Sequence, residues 1–301
     1  MPRPPFDDSS RADTILQSSD GVDFHVSRLT LALASPFFSD LFSLPQPESE
    51  PKVPVIPVAE SSSVLERLLG IWYPGVEPAV VIDGLEQLVE VLELAVSKYD
   101  IKFIAPNLQR HLENYLTSDP VAVYAIACRY RWADSAQMAA RQLLKLPLPS
   151  ILRSTSPHLR CISAELYQAL LVYHIKCSEV AGSFGTALLC TNMQWAWMRC
   201  AGCAQGFQHP FLSEWPAGVR LPRNWILDYM QRAHATLKEA PGASVSDPVF
   251  FAPTFTRLKL SCHSTCSTSG LEDFANFVLD EYLPKLNQAV DAISLELDFG
   301  T

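Results

Sequence analysis

The sequence lacks clustered basic residues. Lys and Arg number 23 against 32 Asp and Glu in 301 residues, so the formal net charge is −9 with histidine neutral. A nucleic-acid-binding protein neutralises phosphates with grouped Lys and Arg side chains, and no such group runs along this chain. The charge balance therefore argues against nucleic acid as a partner.

Long apolar runs are also missing. The most apolar stretches, around 121–128 and 166–175, are shorter than a membrane-spanning helix or are interrupted by Tyr, Gln and His. The first residues, Met1-Pro2-Arg3-Pro4-Pro5, contain no apolar segment of the kind found in a secretory signal. We therefore expect a soluble intracellular protein, in the cytoplasm or nucleus, with no membrane partner.

The familiar enzyme motifs are absent as well. The chain has no Gly-x-Gly-x-x-Gly, phosphate-binding loop, Gly-x-Ser-x-Gly or His-Glu-x-x-His. Its seven histidines are scattered without the spacing of a catalytic or metal-binding group. The sequence therefore predicts no intrinsic catalysis.

Apolar content, by contrast, is ample. Hydrophobic residues make up 48% of the 301 residues, so the chain can bury a full core without disulfides or metal. Its length fits one large domain or two to three small ones. Residues 1–12 are rich in Pro and Ser and include Asp7 and Asp8, which predicts a disordered lead-in.

The pattern that follows alternates short strands and helices. Two runs around Asp20-Gly21 predict a β-hairpin, and Ser35-Pro36 divides 29–44 into two short helices. Five prolines between Pro45 and Pro57 exclude a helix there, although 53–58 fits an edge strand. A helix then ends at 73–75, a further strand is expected at 80–82, and two apolar stripes follow at 85–99 and 104–116.

Four motifs occur in order along this part of the chain, and they are Asp13-Thr14-Ile15-Leu16, Phe24-His25-Val26-Ser27-Arg28, Leu33-Ala34-Ser35-Pro36-Phe37-Phe38-Ser39-Asp40-Leu41-Phe42 and Ala95-Val96-Ser97-Lys98-Tyr99. Their residues and their order resemble those of the BTB/POZ domain family, in the form common in basidiomycete fungi. The resemblance covers residues 13–117. It implies an α+β fold in which a short β-sheet is capped by helices.

The resemblance also implies the kind of partner. BTB domains are protein-interaction modules that self-associate, recruit cullin-type ubiquitin ligases or bind transcriptional corepressors. Only 12 residues precede Asp13, which argues against the strand-swapped dimer of some members. The hydrophobic-x-Glu motif of cullin-recruiting members is degraded here to Leu44-Pro45-Gln46-Pro47-Glu48.

Two charged positions of the family occur in this chain. Asp13 and Arg28 match the acidic and basic residues that form a charged patch in some members. The simpler alternative is an exposed ion pair, which would stabilise the fold by at most about 1 kcal/mol. The family's frequent His before the basic residue is Ser27 here, so no role of that His carries over.

The second half of the chain reads as mainly α-helical. Asp119-Pro120 combines an N-cap with a proline at the first helical position. Further helices are predicted at 120–130, 133–146, 163–180, 222–239 and 271–296. Residues 118–180 lie where many BTB proteins carry a BACK-type helical extension, and 181–301 forms a helical C-terminal region. Four of six tryptophans fall within 195–225, which predicts an aromatic core there.

One chemical signal lies in this C-terminal region. Cys200-Ala201-Gly202-Cys203 and Cys262-His263-Ser264-Thr265-Cys266 are two close cysteine pairs, which suit the four thiolates of a structural zinc site. Three alternatives remain: unliganded core thiols, a redox pair at Cys200 and Cys203, or a ligand set in which His209 or His263 replaces a thiol.

The other cysteines are expected to be ordinary core residues; they are Cys128, Cys161, Cys177 and Cys190. The sequence as a whole predicts an interaction protein or adaptor acting through a BTB domain. The alternatives are a cullin-type ubiquitin-ligase adaptor or transcription-linked regulator and, from a different class, a redox or metal-dependent enzyme centred on the C-terminal cysteines.

Overall fold

The chain folds into two compact units. The computed structural model describes residues 2–44, 53–76, 82–184, 195, 197, 200, 223–262, 265–267 and 269–300. One unit comprises residues 1–116 and the other residues 117–301.

The N-terminal unit contains a three-stranded sheet. Its strands are β1 (Thr14–Gln17), β2 (Asp23–Val26) and β3 (Val55–Pro57), in the order β2-β1-β3. β1 and β2 pair antiparallel with Leu16 opposite Phe24, and β3 runs parallel to β1 at the sheet edge. Gly21, at φ 78°, closes the turn between β1 and β2 in a conformation that favours glycine. The predicted hairpin and edge strand are confirmed.

Helices surround this sheet. They are α1 (Arg28–Ala34), α2 (Pro36–Ser43), α3 (Ser62–Trp72), α4 (Leu85–Leu92), which continues as a π-helix over Glu93–Lys98, and α5 (Ala105–Glu113). The predicted break between α1 and α2 lies at Ser35, the N-cap of α2, with Pro36 in the first turn. The α+β prediction is confirmed. Of the strand expected at 80–82, residues 80 and 81 lie outside the described part, and Ile82 is not in a strand.

The expected disordered lead-in requires a correction. Phe6 has no exposed surface and packs its ring against Phe24 and Tyr73, with centroid distances of 5.8 and 5.1 Å. Its carbonyl accepts a 3.0 Å hydrogen bond from the N–H of His25. Pro-rich composition suggested disorder, but one buried aromatic ring supplies enough apolar surface to hold this short segment against β2.

The helices of the C-terminal unit account for most of its described residues. Its helices are α6 (Pro120–Arg129), α7 (Ala133–Leu143), α8 (Leu148–Leu152), α9 (Ala164–Ser183), α10 (Asn224–Glu239), α11 (Pro248–Ser261), α12 (Ser269–Asn276) and, after a π-helix over Phe277–Tyr282, α13 (Leu283–Asp291). Residues 121–128 of α6 are all buried. α9 packs against both α10 and α13, so the division expected at residue 180 falls inside a helix that joins the two regions.

Two differences from the predicted helices have local causes. α11 was not expected because prolines occupy positions 248 and 253, yet Pro248 lies in its first turn and Asp247 caps it by accepting the N–H of Phe250 at 2.7 Å. The helix expected over 271–296 ends at Asp291. Among the described helices, none combines the length and hydrophobicity that a membrane crossing requires.

A buried polar network joins α2 to the end of α4. The Ser35 hydroxyl donates to the Tyr99 carbonyl at 2.5 Å and accepts from the N–H of Phe38 at 3.3 Å. Tyr99 in turn stacks on Phe38 and donates its hydroxyl to Glu60 at 2.8 Å. Lys98 also donates to the Glu60 carboxylate. These contacts fix the position of the α1–α2 pair through buried groups.

Glu60 is the charged centre of this network. Burial alone would raise the pKa of Glu60, but the hydrogen bonds from Lys98 and Tyr99 outweigh it and hold this pKa below its ordinary value of 4.5. Burial, followed by the hydrogen bond to Glu60, raises the pKa of Tyr99. Glu60 is therefore ionised and Tyr99 neutral at neutral pH.

We predict that Glu60→Ala destabilises the N-terminal unit by about 1–3 kcal/mol at pH 7, because the buried Tyr99 hydroxyl loses its acceptor.

The pKa of Glu60 is lower in the folded chain than in the unfolded one. Its stabilisation is therefore complete above about pH 4.5 and is lost as the pH falls further. Hydrogen–deuterium exchange of β1 and α2 peptides measures both effects. As a matched control, Glu90→Ala, which removes an exposed ion pair with Arg67, costs less than about 1 kcal/mol. Equal losses in both variants would contradict the role of Glu60.

Candidate interaction surface and cysteine cluster

α1 begins where three segments of the N-terminal unit meet. Its N-cap, Ser27, makes no side-chain capping hydrogen bond. Instead the Asp13 carboxylate accepts the backbone N–H of Arg28 at 2.6 Å, and the Tyr73 hydroxyl accepts the N–H of Ser27 at 2.8 Å. Groups distant in sequence therefore satisfy the orphan donors of this helix end.

The structure brings Asp13 and Arg28 together, but not as an ion pair. The Arg28 guanidinium lies over the Phe42 ring at 4.9 Å and donates to the Phe42 carbonyl at 3.4 Å. The expectation of an exposed side-chain ion pair is therefore wrong. A carboxylate is more effective at a helix N-terminus than beside a solvated cation, because it meets both an unpaired N–H and the positive end of the helix dipole.

One face of α1 is apolar and uncovered. Leu29 is 66% exposed and Leu33 is 80% exposed, and four residues separate them, so both lie on the same side of the helix. Leu31, on the opposite side, is fully buried. We call the surface formed by Leu29 and Leu33 the α1 face. Exposed apolar groups of this kind are typical of protein-interaction surfaces.

The C-terminal unit gathers three cysteines into one buried cluster. The sulfur atoms of Cys200, Cys262 and Cys266 all lie within 4.8 Å of one another, and those of Cys200 and Cys262 are 3.6 Å apart. Each of the three residues is at most 2% exposed. Three thiols at these separations have the number, softness and spacing that a transition-metal ion binds.

Two helices and a buried arginine position the cluster. Cys262 is the C-cap of α11, and Cys266 follows in a short 3-10 turn, Thr265–Ser267. The carbonyls of Trp197 and Cys200 both accept hydrogen bonds from the guanidinium of Arg223, which is 1% exposed. Arg223 therefore secures the Cys200 backbone just before α10.

The structure brings together three of the four cysteines that the sequence predicted as a metal site. Both members of the second cysteine pair, Cys262 and Cys266, join Cys200 of the first, while Cys203 lies outside the described residues. Arg223 was missed, because a single arginine before a helix carries no sequence signal for a buried contact. The histidines considered as substitutes, His209 and His263, also lie outside the described residues.

The remaining cysteines divide differently from the prediction. Cys128 and Cys177 are buried, and burial raises the pKa of each thiol to about 11, so both are neutral core residues. Cys161 is exposed, which corrects its assignment to the core: it ends a 3-10 turn, Pro157–Cys161, in which no residue is buried. Cys190 lies outside the described residues.

The predicted aromatic core is confirmed at the tryptophans that the structure describes fully. Trp197 has no exposed surface and Trp225 is 2% exposed. Both meet the Phe274 ring edge-on, at 6.3 and 5.0 Å between centroids. Edge-to-face contacts suit rings whose faces are negative and whose edges are positive, so this cluster is packing rather than a ligand cage.

A cleft of about 860 Å³ opens between α9 and α10. His174 is 1% exposed at this cleft, and its Nε2 lies 2.9 Å from the Leu146 carbonyl. A carbonyl can only accept, so Nε2 carries the proton, while the buried Nδ1 has no hydrogen-bond partner. Burial lowers the pKa of His174, because a charged ring would leave Nδ1–H unpaired.

The family comparison agrees with the N-terminal unit. Residues 4–116 match the BTB/POZ domain model, so this chain contains a BTB/POZ domain, which is a protein-interaction module. The matched range includes Phe6, in accord with its burial beside β2. No curated protein matches the chain.

We predict that the C-terminal unit loses stability as the pH falls below about 6.5. The pKa of buried His174 is lower in the folded chain, so its stabilisation is present above the ordinary histidine pKa of 6.5 and is lost at lower pH. The pKa of His234, on the same cleft, is also lowered by burial and by Lys238, so it adds an effect of the same sign. Thermal melting at pH 7.5 and 5.5 measures the loss. His174→Gln keeps a donor for the Leu146 carbonyl and should reduce the loss of stability at pH 5.5. The control, His158→Gln at a half-buried histidine, should leave that loss unchanged. Identical pH profiles for the wild-type chain and both variants would contradict the role of His174.

Proposed function

We propose that this protein acts as an interaction adaptor whose BTB domain self-associates through the α1 face. The observation that carries the proposal is the exposure of Leu29 and Leu33, 66% and 80%, on one side of a helix whose other side is fixed in the core. Removing such side chains from water favours association by about 25 cal/mol for each Å² of apolar surface buried.

The composition of α1 favours a second copy as the partner. Arg28 is its only charged residue, and its guanidinium is turned to Phe42, so no repelling charges would meet when two copies of α1 pack together. A two-fold contact uses the same patch on both chains and therefore requires only self-complementarity. The α1 face, on a helix whose one charged residue is Arg28, meets that requirement.

A cullin is the alternative partner. Leu44, 57% exposed at the end of α2, begins the segment where cullin-recruiting members carry their hydrophobic-x-Glu motif. Pro45, Pro47 and Glu48 follow it in the sequence and lie outside the described residues. Because the motif is degraded, we favour self-association. Stoichiometric co-precipitation of the purified chain with a cullin N-terminal domain would reverse that preference.

We infer further that the cysteine cluster is a structural zinc site, with Cys203 as the fourth ligand. Zn–S bonds of about 2.3 Å at tetrahedral angles separate neighbouring sulfurs by about 3.8 Å. The observed 3.6 Å between the sulfurs of Cys200 and Cys262 is close to that spacing. Cys203, three residues after Cys200, has the spacing of a zinc knuckle.

A metal ion in this position would cross-link parts of the chain and would not take part in catalysis. It would tie the Cys200 segment, whose backbone Arg223 holds, to the end of α11 and to the turn that carries Cys266. A fully thiolate-bound zinc has no open position for substrate, so it contributes folding free energy instead of catalysis. This role supports an adaptor more directly than an enzyme.

For self-association we predict that the wild-type chain sediments as a dimer at about 50 µM, well above a micromolar Kd. Leu29→Asp/Leu33→Asp should sediment as a folded monomer, because two carboxylates would be buried in the contact. Leu260 on α11 is 79% exposed, so Leu260→Asp is a control matched in exposure and should remain dimeric. A monomeric wild-type chain, or a dimeric double variant, would contradict the proposal.

For the cysteine cluster we predict about one zinc per chain in protein purified without a histidine tag. Cys262→Ser and Cys266→Ser should each lose the metal and lower the thermal midpoint by roughly 6–12 °C, as expected when about 3 kcal/mol is lost. Cys161→Ser removes an exposed thiol and should change neither quantity. Less than about 0.3 zinc per wild-type chain would exclude the site.

A further inference from the structure

Beyond α13 the chain continues to residue 300 without helix or strand, and we call residues 293–300 the C-terminal strap. Its side chains alternate in exposure. The half-buried ones are all apolar, and they are Ile293, Leu295, Leu297 and Phe299. The intervening residues are exposed. A period of two is what an extended chain lying along a surface produces.

The strap lies beside α9. The Glu296 carboxylate is 3.7 Å from the Lys176 ammonium, and a depression of about 210 Å³ is lined by Ser294 and Glu296 together with α9 residues that include Gln168 and Val172. Val172 is 38% exposed even with the strap in place. The surface of α9 here therefore retains apolar area that an adjacent extended segment can cover.

A backbone hydrogen bond holds the start of the strap, where the N–H of Ile293 donates to the Val290 carbonyl at 3.1 Å, and side chains hold the rest. Within the described part of the chain, residues 294–299 make no backbone hydrogen bond to any other element, and the N–H of Gly300 turns back to Asp298 at 2.9 Å. The Lys176–Glu296 pair is exposed on both sides, 50% and 80%, and adds little. The half-burial of four apolar side chains is therefore the main interaction that opposes the entropy lost when the strap is ordered.

We propose that the surface of α9 beside the strap is a peptide-binding site, which this chain occupies with its own strap and which a partner segment occupies when the strap leaves. The strap defines the chemistry of that partner. The partner is therefore an extended segment with apolar residues at alternate positions and a carboxylate that faces Lys176. The site belongs to the C-terminal unit and is independent of the α1 face.

The test uses the full chain with a protease cleavage sequence inserted between Ala292 and Ile293. A fluorescent peptide with the sequence of residues 292–301 is added before and after cleavage, and its anisotropy is measured. A tethered strap competes at an effective concentration near 1 mM, so for a Kd of about 50 µM the uncut chain should bind the peptide about 20-fold more weakly than the cut chain.

Variant peptides separate specific docking from general adhesion. Leu295→Asp/Leu297→Asp in the peptide should abolish binding, because the half-buried row would become charged. Glu296→Lys should weaken binding by about threefold, and Lys176→Glu in the cut chain should restore it, because the pair is exposed and exchangeable.

Three outcomes would overturn the proposal. One is equal binding by the cut and uncut chains, and another is no binding by a cut chain that still melts cooperatively. The third is unfolding on cleavage, which would make the strap part of the core. A full-length chain carrying Leu295→Asp/Leu297→Asp gives a second route: it should release its strap and bind the wild-type peptide without any cleavage.

Discussion

The hydroxyl of Ser35 is the contact on which the N-terminal unit depends. It caps α2 and donates to the Tyr99 carbonyl, while the N–H of the same residue ends α1 by donating to the Leu31 carbonyl. One buried residue therefore sets the angle between two helices and ties both to the end of α4. Glu60 and Lys98 extend this tie toward β3 and α3. Because the inner side of α1 is held in this way, its outer side presents Leu29 and Leu33 on a fixed support. A preorganised surface loses less entropy on binding, which favours association.

Some features of the N-terminal unit could be predicted from the sequence and others could not. Ser35-Pro36 predicted the α1–α2 break, and Asp20-Gly21 predicted the hairpin, because both signals are local and depend on backbone conformation. Burial of Phe6 and the capping of α1 by Asp13 were beyond prediction, since each depends on groups that are distant in sequence. Composition pointed to disorder at Phe6, and the simpler interpretation of Asp13 and Arg28 was an exposed ion pair. Tertiary contacts gave Phe6 a buried position and Asp13 a backbone partner.

In the C-terminal unit, too, local signals were predictive and contacts between distant residues were not. Short spacing within each cysteine pair indicated metal-binding thiols, and the structure brings Cys200 to Cys262 and Cys266 across 62 residues. No local signal foretold the buried Arg223 that secures Cys200, or the exposure of Cys161. Helices were predicted where apolar periodicity was strong and missed at α11, where two prolines hid the pattern. In this unit the cysteine cluster and the strap are two separate features, and we propose a structural role for the first and an exchangeable one for the second.

Cross-linking at position 33 tests the central claim, self-association through α1, most directly. Leu33→Cys would be made in a Cys161→Ser background, since Cys161 is the exposed cysteine among the described residues, and treated with a short bismaleimide. The account predicts a covalent dimer at position 33 and none for Leu260→Cys in the same background, which is matched in exposure at 79%. A chain that stays monomeric at position 33, or cross-links equally well at position 260, would contradict it.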